Sequence, residues 1–154
     1  MPYIRVGLTE SIIDVDSIVN ELIEHTKGLG GAIVSFIGYV KGIVDDHRVY
    51  ELQYTAYQPY TEEVMEKIVV EEVRRNNLLG AIVIHRIGNL KPGDPTIYIF
   101  VSANTRKEAF KGASEILERI KHEAPIFKLE KRDDGEYWVI GDGRRVARRR
   151  AKNT

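Results

Sequence analysis

The strongest constraint on this chain is an alternation between two hydrophobic periods. Residues 32–41 (AIVSFIGYVK), 81–87 (AIVIHRI) and 96–102 (TIYIFVS) are rich in β-branched and aromatic residues and read as strands, the first of them largely buried. Elsewhere apolar residues recur at spacings of three and four: Val15, Ile18, Val19, Leu22 and Ile23; Met65, Ile68, Val69 and Val73; Ala109, Ala113, Ile116, Leu117 and Ile120. Asp14 or Asp16 can cap the first of these helices, and Gly28 stops it. Thr61-Glu62-Glu63 opens the second, which ends on Arg74-Arg75 as the helix dipole prefers. Thr105 with Glu108 forms a capping box for the third, which Ala124-Pro125 terminates. Gly38 predicts a bulge or a close backbone approach, residues 42–48 a polar turn, and residues 49–57 a return strand. Residues 126–131 and 136–140 read as a hairpin around Asp133-Asp134-Gly135. This order implies an α+β domain with helices packed on a mainly antiparallel sheet.

Composition narrows the class. With 154 residues the chain is sized for one domain, residues 1–140, followed by a basic tail, residues 141–154. That tail carries six basic residues against one acidic residue, and a solvated, frayed terminus is its expected state. Lys plus Arg and Asp plus Glu both total 23, so the sequence lacks the basic excess of a bulk nucleic-acid binder. There is no cysteine, which removes disulfides, thiolate nucleophiles, cysteine metal sites and any persulfide on this chain; sulfur chemistry would have to arrive on a partner. No segment approaches the roughly 18 apolar residues of a membrane span, and the amino terminus has no signal-peptide pattern, so a cytoplasmic location is expected.

Candidate chemistry is cationic. The four histidines show no metal-ligand spacing, and phosphate-binding glycine loops and the hydrolase elbow are missing, so neither a metal nor a cofactor is expected. Lys121 closes the third helix and Lys128 lies seven residues on, across the Ala124-Pro125 turn. Such a turn can fold two ammonium groups toward one pocket, where they would hold a phosphate or carboxylate and crowd each other's pKa downward. Both lysines also have ordinary structural readings, one complementing a helix dipole and the other facing water on a strand. Lys41 and Arg106 would add two anion-binding groups if their element ends converge. The pair His85-Arg86 reads as partly buried and tied to sheet-edge or subunit contacts, and Trp138 as core or interface. On these residues alone, a non-catalytic binding module whose basic tail contacts nucleic acid and a structural homo-oligomer both stay open.

Several motifs, in order, carry a resemblance: Gly31-Ala32-Ile33-Val34-Ser35-Phe36-Ile37-Gly38, Thr61-Glu62-Glu63, Ile84-His85-Arg86-Ile87-Gly88, Leu90-Lys91-Pro92-Gly93-Asp94, Val101-Ser102-Ala103 and the segment from Ile120 to Glu130. Over residues 4–139 the chain resembles the large, catalytic subunit of molybdopterin synthase. The resemblance implies an α/β hammerhead-type fold and a homodimer of large subunits, each binding a small ubiquitin-like sulfur carrier to make a heterotetramer. It implies a sulfurtransferase of molybdenum cofactor biosynthesis. The carrier's C-terminal Gly-Gly thiocarboxylate gives sulfur to cyclic pyranopterin monophosphate, whose cyclic phosphate opens as the dithiolene forms.

The family's essential lysine falls on Lys121, its second active-site lysine on Lys128, and Glu130 lies in the same substrate-contacting segment. Lys41 stands where the family has an arginine, after Tyr39 and Val40 of the substrate-lining stretch. Where the family reads S-A-H-R this chain reads Ser102-Ala103-Asn104-Thr105-Arg106, with one residue more and no histidine, so Arg106 carries over beside Thr105. A family arginine that reaches the neighbouring subunit's site has no counterpart at Asp142, and Arg144 or Arg145 could replace it. The implied site is a cluster of Lys41, Arg106, Lys121 and Lys128 screening two anions from each other. Lys121 is expected to transfer a proton or stabilise charge, and Lys128 to anchor an anion.

Overall fold

In the computed structural model, which describes residues 1–141 and 143–149, the two periodicities resolve into two sheets and three helices. The chain runs β1 (Tyr3–Thr9), α1 (Val15–Thr26), β2 (Ala32–Tyr39), β3 (Ile43–Val44), β4 (His47–Ala56), α2 (Tyr60–Arg75), β5 (Leu78–Arg86), β6 (Gly88–Leu90), β7 (Pro95–Ala103), α3 (Arg106–Glu123), β8 (Ile126–Arg132), β9 (Gly135–Ile140) and β10 (Arg144–Ala147). The first sheet has the order β1-β5-β7-β2, and the second β10-β9-β8-β4-β3, with β6 pairing β4. Among the described residues only β1 and β5 run parallel; every other pairing is antiparallel, in line with the α+β reading.

Strands β5 and β7 are apolar at nearly every position because they are covered on both faces. Alternate residues Val83, Ile99 and Val101 pack against Met65 and Ile68 of α2 and Ile116 of α3. The intervening residues Ile82, Ile84, Tyr98 and Phe100 face Ile18 and Leu22 of α1. The second sheet has a smaller core, formed by Val40, Val44, Val49, Leu52, Tyr54 and Leu90, with no helical residue in it.

Four features depart from the sequence expectations. Strand β2, expected to be largely buried, is an edge strand in which Phe36, Ile37 and Tyr39 are exposed; β-branched content marks a strand but does not say whether a neighbour covers it. The return strand β4 does not pair with β2. The register breaks between Gly38 and Tyr39, where a Cβ on Gly38 would lie 2.9 Å from the Thr96 hydroxyl oxygen. Val40 then bonds through its backbone to Asp94 and Gly93, and these contacts divert the chain into the second sheet. Strand β1, not foreseen, pairs with β5 through Tyr3, Ile4, Val6 and Leu8, a pattern interrupted by Arg5 and Gly7. The expected frayed tail is in part strand β10, which pairs antiparallel with β9, while Asp142 and residues 150–154 lie outside the described residues.

Candidate active site

The turn between α3 and β8 sets the site. The Thr61 hydroxyl, buried at the start of α2, donates to the Pro125 carbonyl at 2.9 Å, and the Ile126 amide donates to the Ala124 carbonyl at 2.8 Å. The chain is thereby folded back sharply, so Lys121 from the last turn of α3 and Lys128 from β8 line one recess of about 960 Å³. Lys41, just past β2, lines it too, and Arg145 enters from β10.

Lys128 is half-buried opposite Tyr54 of β4, with its ammonium 5.9 Å from the Tyr54 ring centroid. Burial holds its pKa below the ordinary lysine value, and Arg145, Lys121 and Lys41 push it the same way while Glu130 opposes them. Glu130 is buried, 2% exposed, and accepts from Arg145 Nε at 2.8 Å and Nη2 at 3.1 Å. This paired fork fixes the guanidinium against the recess wall. Arg132 Nη1 stands 3.7 Å from Oε1 of the same carboxylate, the oxygen that Arg145 Nε also reaches. Lys121 is exposed, and Tyr39, Phe127 and Trp138 form an apolar rim.

His85, Tyr54 and Thr96 add a neutral polar floor. Burial pushes the His85 pKa down to about 4 and that of Tyr54 up to about 12, so at neutral pH both rings are uncharged. His85 Nδ1 lies 2.6 Å from the Arg86 carbonyl and therefore carries the proton it donates there. The ring meets Tyr54 edge-on at 4.9 Å. Arg86 donates to the carbonyls of Pro95 at 3.1 Å and Glu10 at 2.9 Å, which joins the end of β1 to the start of β7. His85, expected with Arg86 as a partly buried pair at a sheet edge or subunit contact, lies instead on a central strand and lines the recess. Its signal in the sequence was a histidine inside an otherwise apolar, doubly covered strand.

Of the residues singled out from sequence, Tyr39, Lys41, Lys121, Lys128 and Glu130 line the recess, and Arg145 rather than Arg144 joins them. Val40 is core beneath it. The expected convergence of Arg106 with the three lysines does not occur within one chain. Thr105 and Arg106 start the helix that Lys121 ends, 15 residues on, a separation of about 22 Å along the axis. The Thr105 hydroxyl bonds the Glu108 carboxylate at 2.9 Å, so the capping box closes between side chains and leaves the helix amides uncapped. Among the described residues, His47, Asp133 and Asp134 bring metal-type ligand atoms together, but they lie outside the recess, and Arg132 already occupies the Asp134 carboxylate at 2.7 Å.

Fold and recess together define an α+β protein with a cation-lined pocket at the junction of a helix end and a second sheet. Residues 8–123 match the MoaE protein family, most of the chain, and the chain belongs to that family. A Pyrococcus abyssi protein named molybdopterin synthase catalytic subunit is 38% identical over 112 residues, covering 73% of this chain and 76% of the relative. The molybdopterin biosynthesis MoaE protein of Burkholderia ambifaria superposes with a TM-score of 0.75 at 30% identity, covering 92% of this chain and 90% of that one. Molybdopterin synthase from Staphylococcus aureus gives a TM-score of 0.75 at 30% identity, over 85% and 93% of the respective chains. The chain is accordingly an enzyme of the molybdopterin synthase catalytic-subunit class.

Proposed function

We propose that this recess is where a ubiquitin-like carrier's C-terminal thiocarboxylate meets cyclic pyranopterin monophosphate, and that the chain catalyses sulfur transfer between them to form the molybdopterin dithiolene. The observation that carries this reading is the grouping of Lys41, Lys121, Lys128 and Arg145 around one cavity with Glu130 as its only lining carboxylate among the described residues. Both reactants are anions, and their repulsion in one pocket must be offset by fixed positive charge. Lys121, at the open end, stabilises charge developing on the thiocarboxylate carbonyl. Lys128 anchors the phosphate, and because burial destabilises its ammonium it is also the cation best able to release a proton. The apolar rim of Tyr39, Phe127 and Trp138 suits an extended peptide terminus. The cysteine-free composition agrees with sulfur delivered by a partner.

Thr105 and Arg106 reach a recess only when a second copy brings the start of its α3 there. The proposed assembly is therefore a homodimer of this chain with one carrier per subunit, a heterotetramer, and the exposed β2 edge with Phe36 and Ile37 offers a surface for association. No helix of the described residues is long and apolar enough to cross a membrane, and we place the reaction in the cytoplasm. The nucleic-acid reading is weakened, since Arg145 and Arg148 of the basic tail are ion-paired to Glu130 and Glu136. The test is to mix the chain with thiocarboxylated carrier and the cyclic pterin: dithiolene product is expected, and its absence with a competent carrier would overturn the reading.

A further inference from the structure

The recess separates its charges from its neutral groups. The cations stand on the walls and at the mouth, whereas the floor presents Tyr54, Thr96 and His85 beside apolar Leu52 and Ile97. His85 is 7% exposed, and its Nδ1 proton is committed to the Arg86 carbonyl. Nε2 must then carry the lone pair, and no hydrogen bond among the described residues reaches it. Thr96 lies close enough to the Tyr54 hydroxyl to act on it, and neither residue is hydrogen-bonded to His85 among the described residues. Lys128, the recess cation whose charge acts on the ring, stands 5.9 Å from the Tyr54 ring centroid and is attracted by Glu130. A buried acceptor of fixed tautomer, seated among apolar groups at the end of a cavity, selects a ligand that is flat, uncharged at that end and able to donate an N–H.

We propose that Nε2 of His85 accepts a hydrogen bond from a ring N–H of the pterin, so that the floor reads the heterocycle while the wall cations take its phosphate and the carrier terminus. This assignment rests on the functional reading above and adds the orientation of the substrate to it. His85 is then a specificity-determining residue. A phosphate ester without an N–H edge binds the walls and leaves the floor unread.

The assignment is tested on the chain in complex with a carrier ending in an ordinary carboxylate, which permits binding without turnover. Addition of cyclic pterin phosphate is expected to shift the ¹⁵N resonance of His85 Nε2, whereas inorganic phosphate leaves it in place. His85→Phe is expected to weaken pterin binding about ten- to a hundredfold with carrier affinity and phosphate affinity unchanged. His85→Gln, which restores an acceptor near the same point, is expected to recover most of the loss. In turnover with thiocarboxylated carrier, the Phe variant raises KM more than it lowers kcat. An unmoved Nε2 resonance under saturating pterin overturns the floor assignment and leaves the sulfur-transfer reading standing. Parallel loss of carrier and pterin binding in the Phe variant also overturns it, by showing a merely structural role. A wild-type complex that binds carrier but no pterin overturns the functional reading, and this orientation with it.

Discussion

The two sheets solve opposite problems. The first is covered by helices on both faces, and its buried hydroxyls satisfy one another: the Thr26 hydroxyl donates to the Leu22 carbonyl at 2.8 Å and lies 2.9 Å from the Ser102 hydroxyl, while its buried cation, Arg86, sits at the end of β5 and donates to two backbone carbonyls. The second, with a core free of helical residues, leaves a recess into which Lys128, Glu130 and Arg145 bring ionised groups. Charge is costly where both faces are dry, and tolerable where one face opens to water and opposite charges pair. The larger core thus lies with one sheet and the charged side of the recess with the other, joined by the turn from α3 to β8.

This division can be broken experimentally. The largest effect is expected from Phe100→Ala in the first sheet, a loss of about 3–5 kcal/mol in denaturant unfolding, because the ring is fully buried against α1. A loss under 1 kcal/mol would place the stability elsewhere. Next comes acid. Above pH 7 His85 is neutral in both folded and unfolded chains and contributes no slope. As pH falls below 6.5 the unfolded chain takes a proton that the folded one refuses until about 4. Stability therefore declines across that window, by about 3 kcal/mol in total, and His85→Phe should lack this component when the two unfolding curves are compared.

Lys121→Ala and Lys128→Ala should each slow dithiolene formation on the order of a hundredfold while melting within about 2 °C of wild type. A lysine variant that melts far lower would dissolve the distinction between the sheets. Smallest is Thr105→Ala, expected to cost under about 0.5 kcal/mol by thermal melting, since its hydroxyl serves Glu108 rather than the backbone amides that a typical cap would satisfy.

The helices, the central strands and the hairpin of β8 and β9 were legible because each is fixed by local periodicity and local stops. Edge or centre is not a local property, and β2, as apolar in composition as β7, gave no sign of its exposed side. Strand β1 escaped because Arg5 and Gly7 dilute its apolar pattern, while its pairing with β5 lies some 75 residues away in sequence. In the site, the two lysines flanking Ala124-Pro125 could be anticipated because a single turn relates them. The separation of Arg106 from Lys121 is already implied by the sequence, which sets them at opposite ends of one helix; only the family resemblance groups them. His85 was underrated because its partner is the backbone carbonyl of the next residue, which leaves no sequence motif.

Glu130 has a meaning for turnover. Four bare cations around one cavity would grip a polyanionic product and release it slowly, whereas a carboxylate already clasped by Arg145 sets a competitor inside the wall. On the proposed reading an arriving anion shares Arg145 with that resident charge, which makes the carboxylate an internal counterion that keeps the cavity from holding its product too tightly.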